Sequence, residues 1–198
     1  MRTPTLARST VVRRTLLVAT AFLLAACAGE TTSPTTTSLV PTSANKALAG
    51  AVDGVYTFYL EPARSQSLWF GKSHLELPAG AICELGGSGY GPSYWNSSCT
   101  TNKGPVMITA TVRNAQTNAP SVDFEPALRF NPNTNVQLFL AVTDATTLSN
   151  LTVLKYCSAL SACVDESLTD PSLQTTINAS LGLVSRRIKH FSGYVVSE

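Results

Sequence analysis

The sequence predicts an all-β domain, an antiparallel sandwich with Greek-key-like connections, and three observations predict it. Short runs rich in β-branched and aromatic residues recur through its last three quarters. Clusters of Gly, Pro, Asn and Ser separate the runs, at intervals too short for crossover helices. No long segment shows a 3.6-residue apolar period with caps at its ends.

Taken in order, the runs are Val55–Leu60 (VYTFYL), Ser67–Phe70 (SLWF), His74–Leu77 (HLEL), Val106–Val112 (VMITATV) and Val122–Phe124 (VDF). Val136–Val142 (VQLFLAV), Leu151–Tyr156 (LTVLKY), Leu183–Ile188 (LVSRRI) and Tyr194–Val196 (YVV) follow. Each is short, and most alternate apolar with polar residues, the pattern of a strand with one face on a core. Residues 51–198, about 148 positions, make one domain's worth of chain.

The residues before that domain read as an address. Residues 1–26 carry Arg2, Arg8, Arg13 and Arg14 and no acidic residue, followed by an apolar run from Leu16 to Ala26. These are the positive and apolar parts of an export signal, and the run is too short for a membrane-spanning helix. The segment ends Leu24-Ala25-Ala26-Cys27, which resembles the lipobox of bacterial lipoproteins. That resemblance implies cleavage before Cys27, a lipid on its thiol, and an extracytoplasmic place in the cell envelope. Ala28 rather than Asp after the cysteine points, by the sorting pattern of that family, to the outer membrane rather than the inner. Two or more acyl chains suffice for stable anchoring. Residues 27–50, rich in Thr, Ser, Ala and Pro, bury too little apolar surface to fold and read as a tether reaching roughly 25–30 Å.

Removing the export segment changes the charge. Four of the 14 Lys+Arg leave with it, so ten remain against 12 Asp+Glu, a net of −2. With no basic patch interleaved with aromatics, nucleic acid is not an expected partner. The expected partners are the membrane, through the lipid, and a protein or a glycan. No small-molecule cofactor is implied.

Beyond Cys27 there are four cysteines, Cys83, Cys99, Cys157 and Cys163. An even number in an exported domain reads as two disulfides. Three pairings are possible; short-range closure is preferred because Cys83–Cys99 and Cys157–Cys163 each bracket a turn-rich loop. A zinc site is disfavoured, since no C-x₂-C pair exists and there are only two His. No other metal is expected.

The stretch Phe70-Gly-Lys-Ser-His-Leu-Glu-Leu-Pro-Ala-Gly-Ala81 resembles the opening of the ZU-type domain shared by zona occludens proteins, ankyrins and netrin receptors. Gly104-Pro105, Val122-Asp-Phe-Glu-Pro-Ala-Leu-Arg-Phe-Asn-Pro132 and Ile188-Lys-His-Phe-Ser-Gly-Tyr194 extend the likeness over most of 70–196. The resemblance implies a β-sandwich; the cysteine loops depart from it, as does the short stretch after the last strand.

It also implies a chemistry for His190-Phe191-Ser192, because some ZU-type domains cleave their own backbone at His-Phe-Ser. The Ser192 hydroxyl would attack the Phe191 carbonyl in an N→O acyl shift, with His190 moving the proton; an imidazole near pKa 6.5 suits that task. Buried Phe191 would hold the bond in a strained geometry costing on the order of 1–3 kcal/mol. The alternative is structural: His190 and Ser192 pair across a strand face while Phe191 fills the core.

Other candidates carry less chemistry. Gly86-Gly-Ser-Gly-Tyr-Gly91 looks like a phosphate cradle but lacks a strand–loop–helix setting. Tyr90, Tyr94 and Trp95 in that loop offer either an aromatic binding platform for a glycan or peptide, or packing over a disulfide. Asp165, Glu166 and Asp170 fit no EF-hand spacing and read as a solvated acidic turn. His74 reads as the exposed face of a strand. A serine hydrolase is disfavoured, for want of a Gly-x-Ser-x-Gly elbow. The leading functional expectation is thus an envelope-displayed interaction module, then a self-processing domain, then an envelope hydrolase.

Overall fold

The alternating runs fold as strands: β1 (Gly54–Leu60), β2 (Gln66–Phe70), β3 (Ser73–Leu77), β4 (Val106–Arg113), β5 (Ser121–Glu125), β6 (Gln137–Ala141) and β7 (Val153–Cys157). They are followed by β8 (Cys163–Val164), β9 (Thr176–Asn178), β10 (Leu183–Arg187) and β11 (Gly193–Ser197). The computed structural model describes residues 52–158 and 162–198, which belong to one compact unit. The stretches read from sequence as an export signal (1–26), a lipid-bearing Cys27 and a tether (27–50) lie outside the described residues.

The strands form an all-β sandwich of two antiparallel sheets, ordered β1-β4-β5-β11-β7-β8 and β2-β3-β6-β10-β9. β2–β3, β4–β5, β7–β8 and β9–β10 pair as sequence neighbours, while the remaining connections cross from one sheet to the other. β4 shows why these residues make these strands. Val106, Ile108, Ala110 and Val112 turn inward and are buried, with the residues between them facing out. The inner faces of both sheets meet in one core that includes Phe70, Leu75, Ile108, Phe124, Leu138, Leu140, Val184, Phe191 and Tyr194. Each such apolar side chain contributes roughly 1.5–3 kcal/mol on leaving water.

Two strands fall outside the runs read from sequence. β8 is two residues long and sits beside the Cys157–Cys163 disulfide. β9 has one apolar residue, Ile177, between two exposed ones. Neither has enough apolar alternation to be read from sequence alone. Between β8 and β9, two one-turn 3-10 helices, Glu166–Leu168 and Pro171–Leu173, are capped by Asp165 and Asp170.

Three features position the region around His190. Cys83 pairs with Cys99, and Cys157 with Cys163, the short-range connectivity. β11 lies in the interior of the six-stranded sheet, paired with β5 and β7. Just before it, residues 189–192 are stitched to residues 124–130: Phe130 N–H donates to Lys189 O, Phe191 N–H to Leu128 O and Phe124 N–H to Ser192 O, at 2.8–3.1 Å. Gly193 starts β11 because a Cβ there would sit 2.9 Å from the Cys157 carbonyl oxygen.

Candidate functional site

The site grows out of β10. Its alternation buries Val184, Arg186 and Ile188 and leaves the residues between them on the outer side. Arg186 therefore carries a guanidinium into the interior, where it is 2% exposed. A charge there requires a partner, and Glu166 supplies it: Arg186 Nη2 donates to Glu166 Oε2 at 2.8 Å. Arg186 Nη1 donates to Leu154 O at 2.6 Å. The other carboxylate oxygen of Glu166 lies 3.4 Å from His190 Nε2. Since a carboxylate only accepts, His190 donates from Nε2, and its buried Nδ1 has no hydrogen-bond partner.

Aromatic rings enclose His190, which is fully buried. Trp95 stacks on it with centroids 4.0 Å apart and planes 18° from parallel. Tyr156 meets it edge-on at 4.8 Å. Tyr194 donates its hydroxyl to the His190 carbonyl at 2.7 Å, and burial, then the nearby Glu166 carboxylate, holds its phenol well above the ordinary range.

The loop between Cys83 and Cys99 is fastened over this centre. Arg129, 4% exposed, donates from Nη1 to the Tyr94 and Ser97 carbonyls at 2.7 and 2.6 Å and from Nη2 to the Ser88 carbonyl at 2.7 Å. Tyr90 donates its hydroxyl to the Phe191 carbonyl at 2.6 Å. Burial, then the neighbouring Tyr156, pushes the Tyr90 phenol up to about 12, so it stays a donor at neutral pH.

Between this loop, β7 and the two 3-10 helices lies a half-open cleft of about 820 Å³, within the usual range of ligand sites. Trp95, Asn96, Tyr156, Glu166, Asp170, Arg187 and Lys189 are among its walls. Lys189 Nζ donates to both Asn96 Oδ1 and Asp170 Oδ2. The Lys189 bond, followed by that from Ser172, holds the Asp170 carboxyl down to about 2. Comparison with protein-family models, curated proteins and solved structures found no match. The geometry therefore carries the functional argument by itself.

The residues singled out from sequence divide as follows. Phe191 is fully buried, stacked on Phe124 at 4.6 Å and edge-on to Phe130 at 4.9 Å. His190 and Ser192 do not pair: Ser192 Oγ donates to Cys157 O at 3.4 Å, while His190 faces Glu166. Neither Phe191 nor Ser192 has a positive φ or a cis peptide. Tyr90, Tyr94 and Trp95 take separate roles. Tyr90 reaches Phe191 O, Trp95 covers His190, and Tyr94 is 46% exposed with its ring against Gly89. In the acidic turn, Asp165 and Asp170 cap helices, while Glu166 turns inward and is 8% exposed. Among the described residues, no group of three His, Cys, Asp or Glu is placed to hold a metal ion. His74 lies on an outer sheet face, yet it is covered between Trp69 (4.1 Å) and Phe139 (4.3 Å).

Sequence reading passed over Arg186, Arg187, Lys189, Arg129, Asn96 and Tyr156. One signal was present for the first. In Leu183-Val-Ser-Arg-Arg-Ile188 either set of alternate residues contains an arginine, so one arginine must face the core.

Proposed function

We propose that this protein is a lipid-anchored, extracytoplasmic module of the cell envelope that presents a rigid ZU-type β-sandwich, with the Trp95 cleft as its interaction surface. One observation carries the reading. The carboxylates in the cleft are already engaged, Glu166 with Arg186 and His190, Asp170 with Lys189, and Asp165 with its helix N–H. A hydrolytic site needs a group free to give or take a proton. Fixed, mutually neutralised pairs favour recognition without turnover. The Leu24-Ala-Ala-Cys27 motif supplies the address, and the tether gives the sandwich reach. Detergent phase partition together with intact mass tests this. The wild-type protein is expected in the detergent phase, starting at Cys27 and heavier by its acyl chains. Cys27→Ser is expected in the aqueous phase. Aqueous partition of the wild type would refute anchoring.

A second reading, self-processing between Phe191 and Ser192, is favoured by the Tyr90 hydroxyl. It lies 2.6 Å from the Phe191 carbonyl oxygen, where negative charge would develop. In the N→O shift the Ser192 oxygen bonds to the Phe191 carbonyl carbon and that carbon releases the Ser192 nitrogen, which takes up a proton. Water then opens the ester to a Phe191 carboxylate and the Ser192 hydroxyl. His190 faces Glu166 and Ser192 Oγ faces the Cys157 carbonyl, so this reading requires the imidazole to turn toward Ser192 before it takes the hydroxyl proton. Because β11 pairs with β5 and β7, the fragment Ser192–Glu198 would remain bound until denaturation. Denaturing mass spectrometry separates the cases. A chain ending at Phe191, absent in Ser192→Ala, supports self-processing, and a single uncut species in the wild type rules it out.

A further inference from the structure

We infer that the Trp95 cleft takes a neutral saccharide, an assignment that rests on the interaction-module reading above. The first argument is charge. Asp165, Glu166 and Asp170 are offset by Arg187 and Lys189 in the walls and by Arg186 behind Glu166, three charges of each sign. A cleft balanced in this way carries no net charge that would favour anions or cations as a class.

The second argument is hydrogen-bonding capacity. Asn96 Oδ1 is occupied by Lys189, which leaves the Asn96 amide N–H groups for a ligand. Arg187 is held in the wall by Nη2, which donates to the Pro132 and Thr134 carbonyls. Asp170 Oδ1 accepts from both the N–H and the hydroxyl of Ser172, while Oδ2 accepts from Lys189 alone and retains a further lone pair. The walls thus offer fixed donors and acceptors side by side. A sugar hydroxyl, which both gives and accepts, matches such walls better than a group restricted to one role.

The third argument is the aromatic wall. One face of the Trp95 ring is backed by His190 at 4.0 Å, and Tyr156 meets Trp95 edge-on at 6.0 Å. A ring held from behind is a rigid apolar platform for the C–H face of a pyranose and loses little entropy when a ligand binds. The volume of about 820 Å³ suits a short oligosaccharide.

The test uses the detergent-solubilised, exported full-length protein and a panel of neutral tri- and tetrasaccharides, with uronic-acid and amino-sugar counterparts of equal length. Saturation-transfer NMR reads contact with the sugar. Tryptophan fluorescence in a Trp69→Phe background reads Trp95 alone, since the chain has two tryptophans. The expected result is saturable binding of at least one neutral sugar. Asn96→Ala should weaken it about tenfold, and Trp95→Ala by more. If Trp95→Ala does not fold, Trp95→Phe, which keeps a smaller ring over His190, replaces it. Binding confined to the charged sugars overturns the inference, as does binding that Asn96→Ala leaves unchanged. An anchored protein that saturates with no sugar also overturns the saccharide assignment while leaving the display reading intact. A protein that binds sugar but is not anchored defeats that reading instead.

Discussion

Glu166→Ala should be the most damaging single change in the polar centre. It leaves the Arg186 guanidinium buried, with two main-chain carbonyls (Leu154 at 2.6 Å, Arg187 at 3.3 Å) as its remaining acceptors. Two unit charges about 4 Å apart attract by about 4 kcal/mol at an effective dielectric of about 20. Removing one partner of a buried pair costs about 3–5 kcal/mol, because the other charge stays uncompensated. Against a total stability of about 5–15 kcal/mol, that is a large share. With a urea slope of about 2 kcal/mol/M, the midpoint should fall by about 2 M. Equilibrium unfolding by far-ultraviolet circular dichroism and tryptophan fluorescence, with the disulfides kept oxidised, measures it. Glu166→Gln keeps the shape and an acceptor and should fall between Ala and wild type. The double variant Glu166→Leu/Arg186→Met removes both charges and should recover most of the loss. A midpoint shift under about 0.5 M for Glu166→Ala, or a double variant less stable than the single, would refute the account.

Three further outcomes follow from the same packing. His74 is held below its ordinary value near 6.5, mainly by burial and against the opposing pull of Glu76. The unfolded chain therefore takes up that proton first as pH falls, so the stability is full above about pH 6.5 and declines below it; His74→Phe should flatten this limb in pH-dependent melts. For Asp170, held to about 2, the contribution is present above about pH 4 and lost as pH drops toward 2, so Asp170→Asn should remove an acid limb that a urea titration across that range resolves. Phe191→Ala empties a site between Phe124 and Phe130 and should cost about 3–5 kcal/mol by chemical denaturation.

Strand positions were legible because period-two burial leaves a mark on composition: Val106-Met-Ile-Thr-Ala-Thr-Val112 can hardly be read otherwise. The cysteine pairs were legible for a similar reason, each closing a local loop. The candidate site was largely hidden, because its parts are gathered by long-range pairing. Tyr90 reaches a carbonyl 101 positions away, and Lys189 meets Asn96 across 93. Nothing local in Asp165-Glu-Ser-Leu168 says that Glu166 turns inward while Asp165 caps a helix, since the same letters describe a solvated turn. His190-Phe191-Ser192 drew notice as a motif, yet its setting depends on Glu166, Trp95 and Tyr90, which come from three other parts of the chain.

Arg129 has a consequence for how the Cys83–Cys99 loop can vary. It grips that loop through the carbonyl oxygens of Ser88, Tyr94 and Ser97, atoms that every amino acid carries. The grip is therefore indifferent to what the loop's side chains are, provided the backbone keeps its course. Gly89 is one exception, since its φ is +67° and a Cβ there would press 2.6 Å from the Tyr94 ring, and Tyr90, Trp95 and Asn96 are others, since their side chains meet Phe191 O, His190 and Lys189. Away from those positions the loop is an exchangeable face on a fixed mount, and residues such as Ser88, Ser97 and Ser98 can be replaced while the sandwich beneath stays as it is.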